Sequence, residues 1–308
     1  MQTGNAFAES SQNRGSIAIA YGDNSSAIAR PGDQSRAIAI GDNSTADAGP
    51  GDNQLAIVRG DNSFAGTGPG DSDTALVYGN DSIACACFGD DLTATVVGDN
   101  STAYAINGDN NTSTVRGDNS SAFTGASHRL GDPGNDNTAI VYGDFSDAGA
   151  VDGDRNTAST YGTFSTASAG DGDDNTASVR GGLSAAVAGT GDNNNATVTG
   201  NDSIAFAFNG DNNTATVNGD SSLADATGLF NPSVVFPDLS PGGNGNTAAV
   251  SGDKSAAIAG PGDENTASVD GDSSNALAGP GDNNTAIVTG DNLTADTGAG
   301  DGQTVVVP

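Results

Sequence analysis

The segment GDNSTADAGPGDNQLAIVR, from Gly41 to Arg59, contains the same Gly-Asp turn twice, and a short strand-like stretch follows each one. The turn glycines recur along most of the chain at alternating steps of 10 and 9 residues, as at Gly41, Gly51, Gly60 and Gly70. The repeating unit is therefore 19 residues, divided into a long and a short half. A fixed internal period is typical of a solenoid, in which each repeat buries its inner face against its neighbours.

The inner face can be identified from the positions that vary least. Counted from the turn glycine, position 6 is Ala in nearly every half, and position 8 is mostly Val in short halves and Ala in long ones. Position 4 is Ser in long halves and mostly Asn in short ones. Side chains two residues apart share one face of a strand, so we expect these positions to point inward. The sequence predicts an all-β, two-sided flattened β-solenoid of about 15 coils of 19 residues, with short strands, Gly-Asp-Asn turns and a thin Ala/Val core.

The repeat runs along almost the whole chain, so we expect a single β-solenoid domain over 1–308. Two insertions interrupt it, near 124–133 and 228–242, and the first contains His128 and Arg129. Insertions in solenoids form loops, often on a binding face. The second is a candidate binding loop, and two interpretations stay open: it binds a partner, or it folds back over the solenoid. Its large apolar residues are Leu229, Phe230, Val234, Val235, Phe236 and Leu239.

Composition limits the partners of this chain. It has 39 Asp and Glu against 9 Lys and Arg, for a net charge of -30. This charge repels phosphates, so we expect no nucleic-acid partner. No run of 18 apolar residues is present, so we expect no membrane span. No signal peptide is visible at the N-terminus, but the Ala/Gly/Asn/Thr composition resembles repetitive bacterial surface proteins, which implies an extracellular or cell-surface location.

The sequence predicts no enzymatic activity. It has one His, and its acids are evenly spaced turn residues, unlike a tuned pair of acid and base. Cys85 and Cys87 lie at the outward positions 7 and 9 of one long half. Residues two apart on a strand are poorly placed for a disulfide, so we expect tolerated exposed thiols, with an intermolecular link as the alternative.

The outward face of the short halves carries Thr at position 5 and a mixture of Thr, Ser and Ile at position 7. One regular Thr face resembles ice-binding β-solenoids, whose flat Thr arrays order water, and the resemblance covers the short halves only. The alternative is that Thr is simply a favourable outward residue of a strand. The resemblance implies an ice-binding face made of Thr74, Thr93, Thr95, Thr112, Thr114, Thr138, Thr157, Thr176, Thr197, Thr214, Thr216, Thr247, Thr266 and Thr285.

Asp at position 2 of each half forms two columns, one of which contains Asp42, Asp61, Asp99 and Asp118. Carboxylates about 4.8 Å apart repel by roughly 0.9 kcal/mol per neighbouring pair even in water, so another interaction must offset the repulsion. Hydrogen bonds in the turns are one hypothesis, and bound Ca²⁺ is the other. The segment Gly79-Asn80-Asp81 resembles the repeats of calcium-binding RTX solenoids. We expect no required cofactor, with Ca²⁺ as the alternative.

These observations favour a non-enzymatic structural or surface β-solenoid rod. Uncapped solenoid ends expose strand edges, so we expect the chain to associate with itself, end to end or laterally. An ice-binding (antifreeze) protein that uses the outward Thr column is the first alternative, with ice or another surface as its partner. A calcium-stabilised adhesive module is the second.

Overall fold

The described residues form short parallel β-strands joined by tight turns, and no helix occurs among them. The structure is a computed structural model that describes residues 2–3, 5–11, 14–125, 134–227 and 243–308. Most of the first insertion and all of the second, including the six apolar residues of the candidate binding loop, lie outside the described residues. No helix in the described part of the chain is long and apolar enough to cross a membrane.

The chain divides into two compact units, Met1–Arg155 and Asn156–Pro308. The strands of unit 1 are β1 (Gln2–Thr3), β2 (Phe7–Ser10), β3 (Ile17–Tyr21), β4 (Ser26–Ala29), β5 (Arg36–Ile40), β6 (Thr45–Ala48), β7 (Leu55–Arg59), β8 (Phe64–Thr67), β9 (Thr74–Tyr78), β10 (Ile83–Cys87), β11 (Thr93–Val97), β12 (Thr102–Ile106), β13 (Thr112–Arg116), β14 (Ser121–Gly125), β15 (Thr138–Tyr142) and β16 (Asp147–Val151).

Unit 2 continues the same alternation of strands and turns. Its strands are β17 (Thr157–Tyr161), β18 (Thr166–Gly170), β19 (Thr176–Arg180), β20 (Ala185–Gly189), β21 (Asn195–Thr199), β22 (Ile204–Phe208), β23 (Thr214–Asn218), β24 (Leu223–Asp225), β25 (Thr247–Ser251), β26 (Ala256–Ala259), β27 (Thr266–Asp270), β28 (Asn275–Ala278), β29 (Thr285–Thr289), β30 (Thr294–Asp296) and β31 (Thr304–Val307).

In each unit the odd-numbered strands form one parallel sheet, sheet A, and the even-numbered strands form a second, sheet B. Sheet A contains the short halves of the repeat and sheet B the long halves. Each strand pairs with the strand one coil away, so Ile83 lies beside Thr102 and Thr93 beside Thr112. This register confirms the predicted all-β solenoid of about 15 coils, repeating roughly every 19 residues.

The core is the predicted thin layer of small side chains. In β11 the inward residues Ala94 and Val96 are fully buried, while Thr93 and Thr95 alternate with them on the outer face. Sheet B contributes mostly Ala pairs, such as Ala103 and Ala105. Burying one methyl group contributes only about 0.8 kcal/mol, so side-chain burial alone stabilises each coil weakly. The hydrogen bonds between coils therefore carry a large share of the cohesion.

Polar ladders fill the corners of the coils, as the Ser and Asn at position 4 predict. On the sheet B side, the Ser101 hydroxyl donates to the Gly117 carbonyl at 2.8 Å, and the Ser120 N–H donates to Ser101 Oγ at 3.1 Å. On the sheet A side, the Asn175 N–H donates to Asn156 Oδ1 at 2.9 Å. These bonds give buried polar groups partners in the neighbouring coil, which removes the cost of burying them unpaired.

The turns have a fixed backbone conformation that explains their composition. Position 3 lies in the left-handed region, with φ of 55° at Asn43 and 52° at Asn100. Asn tolerates this region better than most residues because its short side chain bonds locally. The glycine at position 1 faces a different constraint. At Gly98, whose φ is 147°, a Cβ atom would overlap the carbonyl group of Gly117 in the next coil.

We therefore expect Gly98→Ala to reduce the free energy of unfolding by about 2–5 kcal/mol, because it combines backbone strain with overlap against backbone atoms. Gly149→Ala is the matched control in the same unit. A Cβ atom at Gly149 meets nothing within 4 Å, so this variant should change stability by less than about 0.5 kcal/mol. Urea unfolding followed by circular dichroism measures both. Equal losses of stability at the two positions would contradict the role of close backbone contact between coils at Gly98.

Candidate functional site

The Thr column on the outer face of sheet A is aligned within unit 1. Thr74, Thr93, Thr112 and Thr138 lie side by side on β9, β11, β13 and β15. The second column, at position 7, is less regular, because Leu76 and Ile140 flank the pair Thr95 and Thr114. Strands β3, β5 and β7 carry no Thr at positions 5 and 7 and have Ile, Leu and Arg there. The double Thr array in unit 1 is therefore two coils long.

Unit 2 has a longer first column and a more mixed second one. The aligned residues at position 5 are Thr157, Thr176, Asn195, Thr214, Thr247, Thr266 and Thr285. At position 7, Thr197 and Thr216 are neighbours, and Ser or Ala occupies most of the other places. The Ser159 hydroxyl lies 3.1 Å from Ser178 Oγ, so part of this column bonds along its own length. The structure aligns the predicted Thr residues at position 5 in a column in each unit, which Asn195 interrupts in unit 2. The predicted Thr residues at position 7 form one neighbouring pair in each unit.

A third column on sheet A, at position 9, was not predicted from the sequence. In unit 1 it contains exposed Tyr21, Tyr78 and Tyr142, each three coils apart. The Arg59 and Arg116 guanidinium groups lie 5.8 Å and 5.6 Å from the ring centroids of Tyr78 and Tyr142. Such contacts between a cation and a ring contribute about 0.5–1 kcal/mol at exposed sites. Within unit 1 the three-coil spacing of Tyr and Arg at position 9 is visible in the sequence, and this spacing could have identified the column.

The Asp column is accounted for by hydrogen bonds between turns. Asp42 Oδ1 accepts the Asp23 N–H at 2.7 Å, Asp61 Oδ1 accepts that of Asp42 at 2.8 Å, and Asp118 Oδ1 accepts that of Asp99 at 2.8 Å. Asp99 Oδ1 accepts the N–H of Asn80 in the same way, at 2.7 Å.

An uncharged side chain makes the same bond. Asn80 Oδ1 accepts the Asp61 N–H at 2.8 Å, so the bond needs an oxygen and no charge. Among the described residues, no group of three or more Asp, Glu, His or Cys side chains is placed to hold a metal ion. The turn hypothesis explains the geometry of the four weak metal candidates, and the Ca²⁺ hypothesis stays a prediction.

The double variant Asp61→Asn and Asp99→Asn separates the two hypotheses. If the Asp column serves the turns, the amide oxygens of the two new Asn side chains still accept the turn hydrogen bonds, and the loss of two charges reduces the repulsion along the column. The Tm should therefore rise by about 1–3 °C at low salt and less at high salt. Melting curves with added Ca²⁺ and with a chelator provide the comparison. A Ca²⁺-dependent Tm in the wild type that the variant lacks would establish a calcium site.

One buried acid interrupts the corner ladder of sheet A. Asp73 occupies position 4, where most coils have Asn, and it is fully buried between Gln54 and Leu92. Its carboxyl oxygens accept the Leu92 N–H at 3.0 Å and the Gln54 side-chain amide at 3.1 Å. Burial raises the pKa of Asp73 to about 7, although these two hydrogen bonds oppose the rise. Asp90 and Asp91 add to it by charge repulsion.

Asp73 should therefore make stability depend on pH. In the unfolded chain an Asp has a pKa of about 3.9, so between pH 4 and 7 the native state holds a proton that the unfolded state has lost. Stability contributed by the neutral acid falls as pH rises through this window, by up to about 4 kcal/mol. The variant Asp73→Asn places at position 4 the Asn that most other short halves carry there. It should raise the Tm strongly at pH 8 and little at pH 4. The same gain at both pH values would contradict this assignment.

Cys85 and Cys87 form a disulfide, so the expectation of unpaired thiols was wrong. Their Cα atoms are 5.7 Å apart, which lies within the usual range for disulfides. Both side chains project from the outer face of β10, so no backbone element separates the two sulfur atoms. Residues i and i+2 on the outer face of this strand are therefore close enough to pair.

Bulky apolar residues occupy several left-handed turn positions. In unit 2, Phe164 and Leu183 have φ of 57° and 56°, and their side chains are 56% and 62% exposed. They lie at position 3 of successive coils, where most other long halves carry Asn, Asp or Ser and unit 1 has one further Phe, Phe145. A bulky residue in this region costs roughly 1–2 kcal/mol, and more than half of each of these two side chains is in contact with water. Two bulky apolar side chains are therefore exposed at left-handed turns of unit 2.

No protein-family model matches this chain, and no similar protein was found among curated sequences.

Proposed function

We propose that this chain is a non-enzymatic structural or surface β-solenoid that associates laterally with further copies of itself, outside the cell or at its surface. The exposed apolar residues in strained turns, Phe164 and Leu183, are the observation that carries the proposal. Their cost in the isolated chain is offset if they are buried in an assembly. The polar side chains of the turns and corners are already engaged in bonds between coils, which supports a structural role for them.

The charge of the chain sets the conditions for association. Copies with a net charge of -30 repel each other, and salt screens that repulsion beyond about 10 Å at 0.1 M ionic strength. Apolar contacts are not weakened by salt in the same way. We therefore expect association to increase with ionic strength and protein concentration. The disulfide at Cys85 and Cys87 is consistent with an oxidising compartment, which favours an extracellular location.

The variant Phe164→Asn with Leu183→Asn tests this proposal. Asn suits a left-handed turn, so the variant should fold with an equal or higher Tm. Sedimentation velocity at about 0.01 M and 0.15 M salt should show association of the wild type that grows with salt and is lost in the variant. Asn100→Ser, at the same turn position in unit 1, is the control and should associate like the wild type. A wild type that stays monomeric at every concentration and salt level would refute lateral association.

Ice binding is a second candidate, and the alignment of Thr along sheet A favours it. Adjacent strands of a sheet lie about 4.8 Å apart, so an aligned column presents hydroxyl and methyl groups at a regular spacing. Thr214, Thr247, Thr266 and Thr285 continue without interruption across the site of the second insertion. This regularity is what an ordered layer of water on the protein requires.

Thermal hysteresis with ice-crystal shaping tests the second candidate. The variant Thr112→Lys, Thr176→Lys and Thr214→Lys places three long charged side chains on the Thr column of sheet A. The matched control, Ser121→Lys, Thr166→Lys and Ile204→Lys, places the same charges at position 5 of sheet B. Ice binding through sheet A requires activity in the wild type and the control, with loss in the first variant. An inactive wild type, or equal loss in both variants, would reject this face.

A further inference from the structure

The disulfide between Cys85 and Cys87 has no evident role in holding the fold together. It closes a loop of only three residues, and the constraint that a disulfide places on the unfolded chain is smallest for short loops. Both cysteines face outward, whereas the core residues of the same strand, Ala84 and Ala86, are fully buried beneath them. We therefore expect the core and the strand pairing to stay in place when the bond is reduced.

The surroundings of the disulfide leave it open to small molecules. Both cysteines are partly exposed, and Cys85 lies in register with Gly66 on one side and Tyr104 on the other. Gly66 has no side chain, although the Phe64 ring lies close to the position that its Cβ would occupy. Cys87 Sγ lies 3.7 Å from the Gly66 carbonyl oxygen, which can accept a hydrogen bond from the thiol once the disulfide is reduced.

We propose that Cys85 and Cys87 form a reversible thiol–disulfide exchange site on the outer face of sheet B, with low-molecular-weight thiols as its substrate class. The thiolate of an incoming thiol attacks one sulfur, which breaks the Cys85–Cys87 bond, forms a mixed disulfide and releases the other cysteine as a thiolate. A second thiolate attacks the mixed disulfide and releases the external disulfide together with the second cysteine thiolate. The two cysteine thiolates then take up two protons. Two external thiols are oxidised, and one protein disulfide is reduced.

The charge around the site selects among thiols. The turns that flank β10 carry exposed Asp81, Asp90 and Asp91, and the whole chain is strongly acidic. Such a field concentrates cations and repels anions, and it changes association rates by about 10-fold or more at low ionic strength. Thiols with a positive charge should therefore react faster than neutral ones, and neutral ones faster than anionic ones.

The experiment compares cysteamine, 2-mercaptoethanol and mercaptoacetate as reductants of the full chain at one thiolate concentration. Alkylation followed by intact-mass spectrometry counts the free thiols over time. Cysteamine should react at least about 10-fold faster than mercaptoacetate at low salt, and the ratio should shrink at high salt. Cystamine should then restore the disulfide, and the reduced and oxidised chains should have a Tm within about 2 °C of each other. Equal rates for the three thiols would refute the charge selection.

Single-cysteine variants provide the controls. Cys85→Ser and Cys87→Ser should each retain one mixed disulfide with cysteamine after treatment with cystamine, because no second cysteine can resolve it. The double variant Cys85→Ser and Cys87→Ser should take up none. If the wild type ends with two cysteamine adducts and no internal disulfide, the exchange site is refuted. A large fall in Tm on reduction would show instead that the bond is a structural clip.

Discussion

Close contact between the backbones of successive coils is the constraint on which the rest of this structure depends. At the turns, the carbonyl group of one glycine lies where the Cβ atom of the glycine one coil earlier would have to be, as at Gly98 and Gly117. That contact fixes glycine at position 1, and the left-handed conformation favours Asn at position 3. The strands that follow can then pair in register over the length of each unit.

The same contact determines the role of the polar residues. Within the described residues, Asp and Asn at position 2 accept backbone N–H groups from the previous coil, and Ser and Asn at position 4 form buried ladders. Asp and Asn form the same turn hydrogen bond, so Asp can occupy position 2 in many coils, which contributes to the high negative charge of the chain. Asp73 shows that the buried position 4 does not accept a charged side chain equally well. Burial raises the pKa of its carboxyl group, so the group is buried at low cost only in its protonated, neutral form.

The outward faces are where this protein departs from its own repeat. Thr is aligned at position 5 of sheet A, Tyr and Arg recur every three coils at position 9 of unit 1, and the left-handed turns at Phe164 and Leu183 carry exposed apolar side chains. The repeat accepts different side chains at these positions, because coil stacking depends on the inward positions and on the backbone bonds between coils. Function in such a chain is therefore expected on its outer surfaces, and the proposals of self-association, ice binding and thiol exchange each use a different one.

The sequence by itself determined the coil length, the two sheets, the inward positions and the corner ladders, because stacked coils impose one residue type at each inner position and the period exposes it. It also indicated the Thr column, since every second residue of a strand shares a face. Only the tertiary structure showed that Cys85 and Cys87 pair, that Asp73 is enclosed between Gln54 and Leu92, and that Arg59 lies over the Tyr78 ring. These features depend on distances between side chains in three dimensions, which the period of the sequence does not contain.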